Sequence, residues 1–308
     1  VKLFAQPYGN TTDNSHFGMP FRLETSQEPL PRATVGDVYA AIVQDLEFAA
    51  ENLPESNGVY ATKYSALGYL AQVNFLMLDF EAAADYATQV INSGAFELDA
   101  DLDRYEADVV NPETVFGIIS RIQDNRSTWY RDNLRSDNNP SPQLSFSEDF
   151  NFFMSLSGGG DARSAWITNT GTRYLCNRFN DKEYFNVPVV HLTGLHLLRA
   201  EALAELGTDL STAIADVNAI RDRAFGAGNN PLSEDATAEE VRDAARDEFR
   251  KETVCEGQWT DQLVRRGVMG EDIEIRGAPW DCPGMLLQFS NSETTAAGFV
   301  LNEEGGCL

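Results

Sequence analysis

The sequence lacks the short motifs by which many enzymes and phosphate-binding proteins are identified. Its 308 residues contain no G-x-S-x-G nucleophile elbow, no G-x-x-x-x-G-K-[ST] loop and no H-E-x-x-H metal motif. Histidine is scarce, and two of the three histidines, His191 and His196, would point about 140° apart on one helix. We therefore interpret both as packed or capping residues that cannot share a metal ion. The sequence predicts no enzyme activity and no cofactor.

Positive charge is scarce as well. The chain has 48 acidic and 23 basic residues, which gives a net charge of -25. Because this charge repels phosphate backbones and anionic lipid headgroups, we expect no nucleic acid among the partners. No stretch approaches the roughly 18–20 apolar residues of a membrane helix, and the residues after Val1 do not resemble a signal sequence. We expect the chain itself to be soluble.

Cysteine is limited to four residues, Cys176, Cys255, Cys282 and Cys307, and they lack the spacing of a zinc site. In an exported protein they could pair in three ways. Two disulfides, or one disulfide with two thiols, both remain open. We favour Cys282 and Cys307 as a pair because the C-terminal tail needs tethering.

Apolar residues recur at helical spacing in two consecutive segments. The apolar face of the first segment consists of Leu195, Leu198, Ala202 and Leu206, and that of the second consists of Ile214, Val217 and Ile220. Gly207 stands between them, and glycine ends a helix at low cost because it readily adopts the left-handed conformation. The second helix must fold back to bury its apolar face. The pattern therefore predicts an αα-hairpin.

Helices are also predicted within residues 34–98 and near residue 250. Thr34 is expected to cap the first helix, with Asp37 as an acidic variant of the capping box. The apolar face of that helix consists of Val35, Val38, Tyr39, Ile42, Leu46 and Ala49. Two helices follow at residues 63–78 and 81–91, and their large and small apolar residues alternate as in a tetratricopeptide repeat. A last long helix is predicted at residues 239–264.

Two blocks of residues follow one another in a characteristic order. The first comprises Tyr8, Gly9, His16, Phe17, Gly18, Pro20 and residues 31–54. The second comprises Leu198, Arg199, Ala200, Glu201, Ala202, Leu206, Gly207, Ala213, Ile214, Asp216, Val217, Asn218, Ile220, Arg221, Arg223, Ala224, Glu248, Arg250, Glu252, Glu256, Gly257, Leu263, Arg265 and Gly267. With these blocks the sequence resembles the SusD/RagB family of cell-surface nutrient-binding lipoproteins. Trp259, Thr260 and Gln262 depart from the family pattern, so we expect altered packing there.

The resemblance implies a mainly all-α fold, in which tetratricopeptide-like helix hairpins form a short solenoid with a large, irregular, loop-rich insertion. The chain would be a single unit. Its parts would be an irregular arm at 1–33, repeat-like helices at 34–98, the insertion at 99–186, repeat-like helices at 187–267 and an irregular tail at 268–308. Family members usually begin earlier, with a signal sequence and a lipid-modified cysteine, so the resemblance implies that this chain lacks an N-terminal portion.

The insertion is the predicted ligand-binding region. It loses the helical period, and a structureless insertion of this length usually carries function. Its aromatic residues argue against disorder. Sugars bind to flat apolar rings and planar polar groups. The rings of the insertion are Trp129, Tyr130, Trp166 and Tyr174, and the planar polar groups are Arg131, Asn133, Asn138, Asn169 and Arg173. The competing interpretation is that these aromatic residues form a small core of the insertion.

An acidic segment opens the insertion. Asp99, Asp101 and Asp103 have the first spacing of a calcium loop. The glycine and glutamate required at the sixth and twelfth positions are replaced by Arg104 and Val110. We therefore favour a solvated acidic loop over a metal site.

The resemblance implies a non-catalytic protein that captures oligosaccharides or other polymer fragments for a SusC-type TonB-dependent transporter. It would lie outside the cell or on the outer face of the outer membrane, anchored by a lipidated cysteine that this sequence does not contain. The alternative is a structural surface protein that self-associates through the same repeat scaffold. Exposed aromatic rings would favour glycan capture, whereas rings buried between copies would favour assembly.

Overall fold

The computed structural model describes residues 1–25, 28, 30–137 and 141–307, in which α-helix is the predominant regular secondary structure. The described helices are α1 Val35–Asn52, α2 Lys63–Leu76, α3 Phe80–Ile91, α4 Thr128–Leu134, α5 Glu148–Ser155, α6 Leu192–Leu206, α7 Leu210–Phe225, α8 Ala238–Glu252 and α9 Trp259–Val268. The described strands are β1 Phe17–Pro20, β2 Arg32–Thr34, β3 Thr114–Ile118, β4 Ile167–Asn169, β5 Tyr174–Cys176, β6 Val187–His191, β7 Glu274–Ile275 and β8 Ala278–Pro279. The mainly α-helical class is confirmed.

The strands form small antiparallel pairs, β1 with β2, β3 with β6, β4 with β5 and β7 with β8. The chain divides into two compact units. Unit 1 consists of Val1–Ala49, Gln72–Asp79 and Thr253–Leu308, and unit 2 consists of Ala50–Ala71 and Phe80–Glu252. Across the described part of the chain, none of the helices is both long enough and apolar enough to span a membrane.

The predicted helix ends have a clear physical basis. Thr34 Oγ accepts a hydrogen bond from the Asp37 backbone N at 3.1 Å and donates to the Asp37 carboxylate at 2.7 Å, so the acidic capping box is confirmed. At the end of α6, Gly207 adopts a φ of +66° in the left-handed region, as predicted. These local interactions stop each helix at a defined residue.

The predicted long helix at residues 239–264 is wrong. Helix α8 ends at Glu252 and α9 begins at Trp259. Between them, Cys255 and Gly257 have φ angles of +69° and +77°, which no residue of a right-handed helix adopts. Thr253, Val254, Cys255 and Gly257, which lie between the two helices, are residue types of low helix propensity, and Gly257 adopts its positive φ at little cost.

Unit 2 is built around α6. This helix packs against α3, α7 and α8. The predicted inward residues Leu195, Leu198 and Ala202 are buried, whereas Leu206, at the end of the same face, is 42% exposed. Small side chains at the contacts with α7 and α8, such as Ala200 and Ala245, allow the helices to approach closely. The core of this unit therefore lies between helices.

A buried ion cluster joins the insertion to α7 and α8. The carboxylate of Glu252 is fully buried and accepts hydrogen bonds from Arg104 at 2.8 Å, Arg163 at 3.0 Å and Arg223 at 3.0 Å. Arg104 and Arg163 belong to the insertion, and Arg223 belongs to α7. A buried charge is tolerated only when its desolvation is offset by close partners of opposite charge. Three arginines from separate parts of the sequence therefore converge on one residue of α8.

Arg163 extends the cluster. Its guanidinium group is fully buried and donates to Asp161 at 2.8 Å through two nitrogens and to Glu248 at 2.6 Å. Glu113, 1% exposed, accepts a hydrogen bond from Arg223 and lies 3.7 Å from the Nε of Arg104. Arg104 and Glu113, near the start of the insertion, and Arg163, in its second half, are thereby fixed to the helices.

Unit 1 contains a different buried cation. The Arg32 guanidinium donates hydrogen bonds to the carbonyl oxygens of Gly18 at 2.7 Å and Phe4 at 3.1 Å and to the side-chain oxygen of Asn302 at 2.7 Å. It also stacks over the ring of Phe289, 4.8 Å from the ring centroid. Arg32 thus connects the first residues of the chain with its tail.

The predicted pair Cys282 and Cys307 forms a disulfide, with the Cα atoms 5.2 Å apart. It closes a sequence separation of 25 residues, for which the chain-entropy model gives a stabilisation of about 3.5 kcal/mol. The tail is therefore tethered as the sequence suggested. Cys176 is buried in β5, and Cys255 lies in the turn that follows α8.

The ion cluster leads to a prediction for Glu252→Gln. Three buried arginines would lose their common charge partner, and breaking a buried pair costs about 3–5 kcal/mol. We expect a lower denaturant midpoint in urea unfolding followed by circular dichroism. The matched control is Glu239→Gln in the first turn of α8, whose side chain is 77% exposed and whose loss should change little. Equal midpoints for the two variants would contradict the structural role of Glu252.

The same carboxylate predicts a pH dependence. Burial would raise the pKa of Glu252, but Arg223, Arg163 and Arg104 outweigh it and lower the pKa from 4.5 to about 2. Because the folded value lies below the unfolded one, this stabilisation is present above pH 4.5 and is lost as the pH falls towards 2. Denaturant midpoints measured from pH 7 to pH 2 should fall in that interval for the unmodified protein. The fall should be smaller in Glu252→Gln.

Candidate functional site

Helix α4 carries four of the predicted binding residues, Trp129, Tyr130, Arg131 and Asn133. The residue before α4, Ser127, is fully buried. Its hydroxyl donates to Asn125 Oδ1 at 2.7 Å and accepts a hydrogen bond from the backbone N of Phe185 at 3.0 Å. The start of α4 is therefore held against the segment that leads into β6.

Tyr130 belongs to an aromatic cluster, which we define as Tyr105, Tyr130, Phe179 and Phe185. Its ring centroid lies 5.3 Å from that of Phe179 and 5.8 Å from that of Phe185. Tyr105 contacts the same two phenylalanines at 4.9 and 5.3 Å. Phe179 and Phe185 are fully buried. The interpretation that aromatic residues form a small core within the insertion therefore describes the position of Tyr130.

Trp129 lies next to this cluster but points outwards. Its ring meets Tyr130 edge-on, with centroids 5.6 Å apart, and 56% of the residue is exposed. The Trp129 ring thus packs against Tyr130 on one side, while most of Trp129 remains accessible to solvent. A ring held in this way is suited to stacking against a ligand, because little side-chain entropy is lost on binding.

Trp166 contacts the aromatic cluster through Arg178 and is half-buried. The guanidinium carbon of Arg178 is 4.2 Å from the centroid of Trp166 and 4.9 Å from that of Tyr105. Arg178 thereby connects Trp166 to the cluster through two cation–π contacts. Trp129 and Trp166 are attached to the same set of buried rings.

The polar residues of α4 have partners within the helix. Arg131 forms an ion pair with the adjacent Asp132 at 2.8 Å. The side-chain amide of Asn133 donates to the Trp129 carbonyl at 2.9 Å, one turn earlier. The Asn133 side chain is thereby held one helical turn from Trp129, whereas the Arg131 side chain is held by Asp132.

The β4–β5 hairpin carries the remaining predicted residues. Arg173 donates to the carbonyl oxygens of Pro142 at 2.8 Å and Gln143 at 3.2 Å. The exposed Asn169 accepts a hydrogen bond from the backbone N of Gly171 at 2.8 Å, and Tyr174 is half-buried in β5. Residues 141–146 connect this hairpin to α4, since the Leu144 backbone N donates to the Asn133 carbonyl and the Phe146 backbone N to the Tyr174 carbonyl. The predicted Asn138 lies outside the described residues.

The acidic loop makes hydrogen bonds to protein groups. Asp99 accepts hydrogen bonds from Asn111 and from the backbone N of Asp101, and Asp103 accepts them from Lys182 and from the backbone N of Tyr105. Within residues 1–25, 28, 30–137 and 141–307, no three His, Cys, Asp or Glu side chains come together as metal ligands.

His191 and His196 have the structural roles inferred from the sequence. His191 is the N-cap of α6, and its Nδ1 accepts a hydrogen bond from the Gly194 backbone N at 3.0 Å. His196 Nδ1 lies 2.6 Å from Asp216, which also accepts two hydrogen bonds from Arg199. The capping and packing interpretation is confirmed.

The sequence did not identify the buried residues that hold the insertion in place. Arg104 and Arg163 have no pattern that distinguishes them from other arginines of the chain. Phe179 and Phe185 carry a weak signal, since two phenylalanines in a polar segment need burial. Their partners are distant along the chain, so proximity could not be read from spacing.

Three solved structures illustrate the similarity of the fold. A SusD superfamily protein from Bacteroides thetaiotaomicron has a TM-score of 0.78 at 22% identity, over 98% of this chain and 74% of that one. One from Bacteroides vulgatus has a TM-score of 0.80 at 22% identity, over 98% and 73%. A SusD-like carbohydrate binding protein from Bacteroides vulgatus has a TM-score of 0.68 at 19% identity, over 86% and 59%. No curated protein matches the chain significantly in sequence.

The sequence model of the SusD family matches residues 124–278. The match begins just before α4, includes the predicted ring residues of the insertion and continues through α6, α7, α8 and α9. It covers more than half of the chain and agrees with the fold found in the solved structures. The chain belongs to the SusD family.

Proposed function

We propose that this protein is a non-catalytic binding protein that captures oligosaccharides or other polymer fragments at the bacterial cell surface. Membership in the SusD family is the observation that carries the proposal, because the matched residues include the predicted binding residues of the insertion. The similarity to a carbohydrate binding protein from Bacteroides vulgatus is consistent with it. The captured ligand would pass to a SusC-type TonB-dependent transporter, and the protein would act outside the cell or on the outer face of the outer membrane.

The arrangement of the insertion supports a sugar ligand. Trp129 offers an exposed ring with a supported edge, and Arg131 and Asn133 lie on the same helix. A pyranose presents an apolar C–H face to such a ring while its hydroxyls hydrogen-bond to planar polar groups. Asn169, Arg173 and Tyr174 would extend the site along the hairpin. Exposure of Trp129 favours glycan capture over self-assembly.

We propose further that the helix pairs α2–α3 and α6–α7 are tetratricopeptide-like repeats of a short solenoid. The close contact of α6 with α3, α7 and α8 supports this arrangement. The helices would then serve as a rigid scaffold, and selectivity would come from the insertion.

The first test replaces the exposed ring by Trp129→Ala. If the ring stacks on sugar, affinity for the best oligosaccharide of a glycan array should fall at least roughly tenfold, or about 1.4 kcal/mol, in isothermal titration calorimetry. The melting temperature should be unchanged, because the side chain is mostly exposed. The control is Phe152→Ala, another ring that is 64% exposed but lies on α5. Unchanged affinity in Trp129→Ala would contradict the assignment of α4 to the site.

Trp166→Ala should also weaken binding at least roughly tenfold. This variant in addition removes the stacking partner of Arg178, so a small loss of stability is expected beside the loss of affinity. Affinity should therefore be measured well below the melting temperature. Retained affinity would remove Trp166 from the site.

Tyr130→Ala tests the support of the site. Removing a ring that packs on two buried phenylalanines should destabilise the protein by about 3 kcal/mol, whereas Trp129→Ala should change stability by less than about 0.5 kcal/mol. Tyr130→Phe, which keeps the ring, should preserve stability. Urea unfolding of the three variants measures the contrast, and equal effects of the two alanine variants would show that Tyr130 does not support the insertion.

A further inference from the structure

The loop between α1 and α2 presents an exposed aromatic ring. Tyr60 is 73% exposed and its neighbour Val59 is 54% exposed. The loop is closed by a hydrogen bond from the Lys63 backbone N to the Pro54 carbonyl at 3.0 Å. Within it, the Tyr60 backbone N donates to the Asn57 carbonyl at 3.1 Å. The ring is thus carried by a turn that is held by backbone hydrogen bonds within the loop.

Two adjoining clefts lie beside this loop. The first has a volume of about 330 Å³ and is lined by the loop, including Tyr60, and by residues of β3 such as Phe116. The second, of about 410 Å³, is lined by the turn that follows β3, including Arg121 and Asp124. Both clefts share Val59 and Ile119 in their walls. They therefore form one depression, which we call the Tyr60 groove.

The Tyr60 groove and the candidate site are close to each other in the sequence. Its far wall ends at Asp124, and four residues later α4 begins at Thr128, immediately before Trp129. Asn125 and Ser127, which lie between, are fixed by the hydrogen bonds that anchor the start of α4. The groove and the Trp129 ring are thereby connected by a short, ordered segment of unit 2.

The chemistry of the groove fits a neutral ligand rich in hydroxyl groups. Its acidic residues have basic neighbours, with Glu55 3.9 Å from Lys63 and Asp124 2.9 Å from Arg126. An anionic ligand would in addition meet the overall charge of -25. An exposed tyrosine ring beside amide, hydroxyl and backbone groups matches the apolar face and the hydroxyls of a sugar.

We propose that the Tyr60 groove is a second carbohydrate-contact region, in which the Tyr60 ring stacks on a sugar unit of a chain that also contacts Trp129. This inference rests on the proposed function. It specifies that function, because a ligand with two separated contacts is a polymer fragment and not a monosaccharide. Two linked contacts raise the affinity for a long chain above that of either contact alone. A protein segment is the other class of ligand that an exposed groove could take.

The test is a length series. The probes are soluble starch, xylan, mixed-linkage β-glucan and galactomannan, followed by fragments of the best binder from disaccharide to long oligosaccharide. Tyr60→Ala should lower the affinity for the longest fragment about five- to tenfold and leave that for the shortest binding fragment unchanged. Trp129→Ala should weaken both. Tyr60→Phe, which keeps the ring, should bind as the unmodified protein, and Phe152→Ala is the control for loss of an exposed ring elsewhere.

Each result of the length series either supports or contradicts the Tyr60 groove as a carbohydrate contact. A length-dependent loss in Tyr60→Ala, with an unchanged melting temperature, supports the Tyr60 groove as a carbohydrate contact. Equal affinity of Tyr60→Ala and the unmodified protein for long fragments overturns it and leaves the proposed function standing if Trp129→Ala still weakens binding. No binding of any probe by the unmodified protein contradicts carbohydrate binding at both regions, and a protein ligand would then be the better explanation of the exposed ring.

Discussion

The arrangement of unit 2 depends on the ion pairs made by the fully buried carboxylate of Glu252. It receives one hydrogen bond from each of three arginines, two from the insertion and one from α7. A charge in this position is costly unless all of its partners are in place. A displaced insertion would leave Glu252 and Glu248 without Arg163 while both remained buried. The cluster therefore fixes one arrangement of the insertion, a segment that contains little regular secondary structure.

The support of the candidate site rests on that anchored segment. Phe179 and Phe185 form the buried base of the insertion, and Tyr130 packs on them from α4. Trp129 is thereby presented outwards on a short helix that would not be stable alone. A binding surface ordered in advance loses less conformational entropy when it meets its ligand. The irregular insertion thus gains rigidity from the same contacts that bury its aromatic residues.

Unit 1 orders irregular chain by other means. Arg32 donates hydrogen bonds to carbonyl and amide oxygens from the start and the end of the chain. The disulfide between Cys282 and Cys307 tethers the C-terminal tail. Backbone carbonyls that belong to no helix or strand need donors when they are buried, and a guanidinium group supplies five. Both units therefore use arginine to organise segments without regular secondary structure, with carboxylates as partners in unit 2 and mainly carbonyl groups in unit 1.

The sequence by itself determined the features that depend on neighbouring residues. The helical class, the Thr34 cap, the end of α6 at Gly207 and the αα-hairpin residues follow from periodicity and capping chemistry, and the disulfide followed from the need to tether the tail. The convergence of Arg104 and Arg163 on Glu252 and the different exposure of Trp129 and Tyr130 were decided only by the tertiary structure. Burial and charge pairing join residues far apart in the chain, and no local pattern encodes which distant partner a side chain will meet.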